Sequence, residues 1–442
     1  MTLRHAAFVA AALLAIQVCD PGFAKDLAKD LAKDLGRATP ESTGLSRAEM
    51  DKLKAAMKAI VDGGQRAGIA YAVAHRNKIV ALEAIGRRDL EKNLPMETDT
   101  VFRLASLSRV LSGAAILSLV DAGALKMDDP VAKYVPEFAD TQVIKAIDGE
   151  SVVTEPQNTP LTVRHLFTYT GGFGYGTEWP KSLGLKQADV IDPDGTLADG
   201  IRHLAKFPLL NQPGAKWHYG FSGDVLGRVA EVASGEQLDD FMRTHLTAKI
   251  GMKDTGFWAK DAARLAVVYS SDGAGKLKPT SVDYLQSFTK PSRMNSGGGG
   301  MVSTVPDYLR FAQMLLNGGV LDGVRVLKPE TVRAMLTRQT TPEQGMTYWY
   351  DPERYQSTKG YAWGYAIGVR VDGVAHQMPG WSGDAGWAGF TNTWFFVDPK
   401  NEVAAVAMSA FVGNDPGAPV LKTLRTGIYR ALGKPEALDL DR

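Results

Sequence analysis

Cysteine is almost missing from this 442-residue chain: its single thiol, Cys19, sits in an apolar stretch near the N-terminus. One cysteine excludes an intrachain disulfide framework and a thiolate-rich metal centre. Net charge is nearly absent as well, with 50 Lys+Arg against 49 Asp+Glu. No general attraction to nucleic acid or to an anionic membrane surface follows from such a balance. The seven histidines show neither H-x-H nor H-E-x-x-H spacing, which argues against a zinc site, and no G-x-x-x-x-G-K-[ST] loop occurs. No cofactor is called for, and no apolar run reaches the ~20 residues of a stable membrane span. What is present is ordinary globular composition, 45% hydrophobic and 22% charged, enough for a large core and suited to a small, weakly charged partner.

Arg4, the apolar run Ala6–Val18 and the small-residue ending Gly22-Phe23-Ala24 read as a secretory signal peptide cut near Ala24. The expected location is therefore periplasmic or secreted, and the mature chain has no thiol. Val18 before Cys19 is not the small residue that a lipoprotein site requires. Residues 25–44 begin with a Lys-Asp-Leu-Ala repeat and read as a charged, solvated linker.

From residue 45 the pattern is that of an α+β domain. Ser46 looks like the cap of an amphipathic helix to about Ile60, and Gly68–His75 with Lys78–Ile85 reads as a hairpin around Arg76-Asn77. Further β-rich runs lie far away, at Gly364–Val371 and Thr393–Ala407, the latter broken at Asp398–Asn401. Short loops between consecutive strands imply antiparallel pairing, so both ends of the chain are expected in one mostly antiparallel sheet flanked by helices, built from about 45–120 and 290–442. Val110–Leu125, Leu226–Val232, Leu238–Leu246 and Pro306–Asn317 carry helical patterns, and about 121–289 reads as a largely helical second part. A cleft between two such parts is a common place for a small-molecule site.

Two stretches approach the G-x-S-x-G nucleophile turn, around Ser222 and Ser382, but each ends in aspartate where glycine is required. Ser106 is a better candidate. It stands where the apolar helix from Val110 begins, beside free amides and the positive end of a helix dipole, which favour a developing oxyanion. A plain helix cap explains the same position equally simply. Four further segments stand beside it: Leu161–Gly172, Pro213–Gly227 with Tyr219, Ser296–Leu316 with its run Gly297–Gly300, and Trp387-Ala388-Gly389.

These segments, in this order, resemble the serine hydrolases of the penicillin-recognition fold: class C β-lactamases, DD-peptidases and, most closely, family VIII carboxylesterases. Ser106-Leu-Ser-Arg109 resembles the nucleophile motif S-x-x-K, Tyr219 the base of the second motif, and Trp387-Ala388-Gly389 the W-G-G form of the third. The resemblance covers about 45–430 and implies an acyl-enzyme on Ser106, with an oxyanion hole from the amides of Ser106 and Phe390. His376 ranks second for the third motif, because no glycine follows where one is needed. On chemical grounds a serine hydroxyl needs a proton acceptor, and an ordinary phenol costs about 4 kcal/mol to ionise at pH 7 unless a fixed cation is near. Arg109, one helical turn from Ser106, can be that cation.

Arg109 also departs from the pattern. Arginine does not release its proton in a protein, so it supports the site electrostatically and cannot serve as a base. Phe221 stands where β-lactamases carry asparagine and Trp387 where they carry lysine, changes that favour neutral, apolar acyl esters over penicillins; the expected partner is a small ester or amide. The simpler alternatives are a hydrogen-bonded buried phenol for Tyr219 and a core aromatic for Trp387. β-Lactamase or DD-peptidase activity, and an acyl- or peptide-binding homologue silenced by Arg109, stay open. The glycine run is expected to make a tight positive-φ turn ahead of the helix near Pro306. Oligomeric state is not readable from the sequence.

Overall fold

Ser46 caps the first long helix as its position implies: its Oγ accepts from the Glu49 amide, and α1 (Arg47–Asp62) buries Met50, Leu53, Met57 and Ile60 along one face. The computed structural model describes residues 35–176, 178–272, 275–283, 287–346, 360–371, 378–413 and 419–438. The proposed leader with Cys19, the repeat up to residue 34, and His376 lie outside them.

The expected hairpin forms from β1 (Gly68–His75) and β2 (Lys78–Asp89), with Arg76 and Asn77 both at positive φ, 50° and 58°. Such a turn matches the twist of the flanking strands. The run from Gly364 to Val371 is not one strand. Instead β3 (Tyr361–Trp363) and β4 (Gly368–Arg370) are separated by a turn in which the Gly364 amide donates to the Ile367 carbonyl and Ala366 takes φ 58°. β5 (Ala385–Gly389), β6 (Thr393–Asp398) and β7 (Val403–Met408) complete the sheet, in the order β2-β1-β7-β6-β5-β4-β3. β1 pairs antiparallel with β7, Ala70 opposite Met408, so the two ends of the chain do share the sheet.

Residues 35–44 correct the expectation of a solvated linker. Leu35 is buried, Gly36–Arg37 pairs in parallel with Lys78–Ile79 on the outer edge of β2, and Glu41–Thr43 forms a 3₁₀ turn. An otherwise open strand edge is thereby covered.

Alternation in β1 divides the core. Ile69, Tyr71 and Val73 face one layer with α1 and with α5 (Pro419–Ala431), whereas Ala70, Ala72 and Ala74 face the other. α1 and α5 touch closely: a Cβ on Gly427 would lie 2.7 Å from that of Leu53. On the second face lies α4 (Val305–Leu316), capped by Thr304, and beyond it α2 (Ser108–Asp121), which is buried around nearly its whole circumference. α3 (Ser222–Ser234) packs on α2. The stretch 121–289 also holds the helices Val163–Phe167, Leu197–Leu204 and Leu238–Met242, and two hairpins, Val143–Asp148 with Ser151–Glu155 and Val268–Ser271 with Leu277–Thr280. No helix among the described residues is long and apolar enough to cross a membrane.

Candidate active site

Ser106 lies in a 3₁₀ turn, Ala105–Leu107, that runs directly into α2. The turn is pinned from several sides. The Leu104 amide donates to the Met301 carbonyl, Thr393 Oγ1 donates to the Leu104 carbonyl at 3.0 Å, and the Tyr308 hydroxyl donates to the Leu107 carbonyl at 3.0 Å. Ala105 takes φ 47°, a left-handed conformation that costs a non-glycine residue about 1–2 kcal/mol and so needs such support. Ser106 does not hold the cap position of either helical start, which Leu104 and Leu107 occupy. Its Oγ accepts instead from Arg109 Nη2 at 3.3 Å.

Arg109 is only 1% exposed. A buried guanidinium is tolerated where acceptors surround it. Here Nη1 donates to the Tyr169 hydroxyl at 2.8 Å, and Nη2 donates to the Tyr175 hydroxyl as well as to Ser106. The same group lies over the Tyr219 ring, with Cζ 4.0 Å from the centroid, in a cation–π contact. One permanent charge thus touches the serine and three tyrosines.

Tyr219 is 7% exposed, and its hydroxyl accepts from Trp387 Nε1 at 2.9 Å. Trp387 is half-buried and edge-on to Trp363 at 4.6 Å, so it belongs to the site and to the aromatic core at once. Gly389 is required by space: a Cβ there would fall 2.1 Å from the Leu104 carbonyl oxygen. That closeness brings the end of β5 against the Ser106 turn, and Phe390, next in the chain, is 36% exposed. The structure therefore brings Ser106, Arg109, Tyr219 and Trp387 together and sets Gly389 and Phe390 beside the turn. Phe221 is fully buried, edge-on to Tyr175 at 5.2 Å.

Two functional candidates escaped the sequence reading, Tyr169 and Tyr175. Residues 169–175 run beside 217–221: the His218 amide donates to the Tyr169 carbonyl at 2.8 Å, and a Cβ on Gly220 would fall 2.2 Å from the Gly174 carbonyl oxygen. Burial pushes both phenols above their ordinary value despite the opposing pull of Arg109, so they stay neutral at neutral pH. Burial, helped by Lys216, lowers the His218 imidazole to about 4, so it too is neutral there. A sign was available: an arginine in a helix buried on all sides must find hydrogen-bond acceptors from other segments.

The glycine run behaves differently from its expected role. Gly297, Gly298 and Gly299 do not take positive φ; two of them are close-approach positions. A Cβ on Gly297 would meet the Gly223 carbonyl oxygen at 2.6 Å, and one on Gly298 would meet Asp224 Oδ2 at 2.6 Å. The loop also ties to α2, accepting from Ser112 Oγ at the Gly297 carbonyl (2.7 Å) and donating from the Met301 amide to Ser108 Oγ (2.9 Å). It is a thin spacer between α2 and α3.

Residues 53–428 match the family described as Beta-lactamase. Protein Rv1367c of Mycobacterium tuberculosis is 32% identical over 411 residues, spanning 87% of this chain and 99% of that protein. Esterase EstB of Burkholderia gladioli is 30% identical over 403 residues, spanning 85% and 95% respectively. The solved structure of EstCE1, described as a hydrolase with promiscuous acyltransferase activity, superposes with a TM-score of 0.74 over 87% of this chain and 100% of its own, at 23% identity, a likeness of fold.

Proposed function

Because the chain belongs to the Beta-lactamase family, whose penicillin-recognition fold serves hydrolases, esterases and acyltransferases, we propose that it cleaves carboxylic esters through an acyl-enzyme on Ser106. The observation that carries this reading is the shared guanidinium: Arg109 hydrogen-bonds Ser106 Oγ while lying on the ring of Tyr219, whose oxygen takes the Trp387 N–H. In the proposed cycle Ser106 Oγ attacks the acyl carbonyl as its proton passes to the Tyr219 oxygen. The tetrahedral oxyanion lies toward the amides of Ser106 and Phe390. Collapse breaks the ester C–O bond, and the departing alkoxide takes the proton from Tyr219. Water then repeats the sequence on the acyl-enzyme. Arg109 keeps its proton throughout and favours the ionised phenol.

Neutral esters are the favoured substrates. The donors of Arg109 are turned to Ser106, Tyr169 and Tyr175, and at the third motif Trp387 offers an indole where a lysine would bind a carboxylate. Hydrolysis of a p-nitrophenyl acyl ester is expected, reduced at least a thousandfold in Ser106→Ala and in Tyr219→Phe, with little turnover of a chromogenic cephalosporin. Wild-type rates in Ser106→Ala would sink the assignment. Tight acyl binding without turnover in either protein would favour the silent binding protein that Arg109 leaves open. Export to the periplasm or medium belongs to the same reading, supported by Arg4, the apolar run and Ala24. A mature N-terminus at Lys25 by mass spectrometry is the expected result; an intact Met1 in secreted or periplasmic fractions contradicts it.

A further inference from the structure

Among the buried titratable groups that this mechanism does not use, Asp224 stands out. It lies five residues after Tyr219, in the first turn of α3, and is 1% exposed. Its Oδ1 accepts from Ser296 Oγ and from the Gly298 amide at 3.1 Å, while Oδ2 has no hydrogen-bond partner among the described residues. A carboxylate left with an unused lone-pair face in a dry interior is costly unless something else compensates it. Next to it, Gly223 has the Tyr169 hydroxyl 3.0 Å from where its Cβ would stand, and the Gly298 Cα at the same distance. Asp224 therefore sits where the helix that follows Tyr219, the glycine spacer and the phenols around Arg109 converge.

We infer that Asp224 is a positioning residue of this site: it fastens α3 to the glycine loop that separates α3 from α2, and it sets a buried negative charge against the positive charge of Arg109. The inference rests on the reading of Tyr219 as proton acceptor. The strut fixes the spacing between two helices, one carrying Ser106 at its head and the other following Tyr219. The charge acts on the phenol, because a negative group nearby disfavours a second one.

The surroundings leave few other groups to confuse the effect. α2 presents Arg109, the 169–175 segment presents Tyr169 and Tyr175, and the glycine loop presents the Ser296 hydroxyl and backbone. The helices Leu197–Leu204 and Leu238–Met242 meet α3 near Gly227 through Leu197 and Leu238. In the helix Val163–Phe167, the hydrogen bond to Asp128 raises Arg164, and burial with the Arg164 charge lowers His165. Burial raises the Asp224 carboxyl above its usual range, and the Ser296, Gly298 and Arg109 interactions pull it back. His218, neutral down to about 4, does not titrate in the working range.

Asp224→Asn keeps the shape and an oxygen for Ser296 and Gly298 but removes the charge. The ascending limb of the kcat/KM pH profile is expected to move toward acid by about one pH unit, the size of one buried charge acting across a few side chains. The ultraviolet titration of tyrosinate, with Tyr219→Phe subtracted, should move the same way. Ser296→Ala keeps the charge and weakens the strut, and is expected to lower kcat severalfold without moving the limb. A limb and a tyrosinate titration that overlay wild type in folded Asp224→Asn overturn the charge role, and wild-type kcat in Ser296→Ala overturns the strut. Full turnover in Tyr219→Phe sinks the base assignment instead. The tyrosinate titration needs no turnover, so it judges Asp224 even then.

Discussion

Two buried arginine centres in this protein solve the same problem in opposite ways. Beyond β4, Arg370 and Arg425 close on Asp384, all three essentially without exposure: Arg425 Nη1 donates to Oδ2 at 2.8 Å, and Arg370 Nε lies 3.1 Å from the same atom. Burial pushes the Asp384 carboxyl up, but the Arg425 and Arg370 charges outweigh it and hold the group below the usual carboxylate range. At the other centre, Arg109 is hydrogen-bonded to phenols and a serine, groups that are neutral in the resting state. In the first arrangement both guanidiniums are committed to one resident carboxylate, which ties α5 to the strand that carries Trp387. The second leaves a cation whose best partner is an anion that appears only during reaction.

Removing the shared anion is the sharpest way to test that contrast. Asp384→Asn strands two buried guanidiniums, and a loss of about 3–5 kcal/mol in urea unfolding is expected, with the ester KM of any surviving folded protein little changed. A loss below ~1 kcal/mol would mean that this centre is not the structural tie described here. The sign with pH follows from the depressed carboxyl. The stabilisation is complete above the unfolded-state value of ~3.9 and disappears as pH falls through the lower folded value. At the other centre the corresponding loss of stability is smaller. Arg109→Lys gives up some hydrogen bonds to Tyr169 and Tyr175, costing about 1 kcal/mol of stability. It also introduces a group able to release and regain a proton, so ester hydrolysis is expected to rise severalfold. Equal or slower hydrolysis in the lysine variant would show that the guanidinium is an adapted part of the site.

Much of this site could be read from the chain because its parts are local. Ser106 and Arg109 are three apart across the start of α2, Tyr219 and Trp387 each lie in a short recognisable segment, and Ser46 heads a helix whose apolar spacing is plain. What escaped depends on neighbours remote in sequence. Tyr169 and Tyr175 matter because their segment lies against 217–221; Leu161–Gly172 marks the neighbourhood of Tyr169 but not the contact. Gly297 and Gly298 were expected to bend the chain; they let Gly223 and Asp224 approach, a need set by a helix about seventy residues earlier. The break at Gly364–Ile367 is hidden because its residues are apolar or aromatic apart from the glycine, and a turn buried in the core leaves no polar signature.

The pairing of β1 with β7 has a consequence for biogenesis. Residues 68–75 pair at once with the neighbouring strand but find their second partner only at 403–408, so more than three hundred further residues must be made before the central ladder can zip. Until then the nascent molecule stays open along one edge of its first hairpin, and topology itself postpones closure of the sheet.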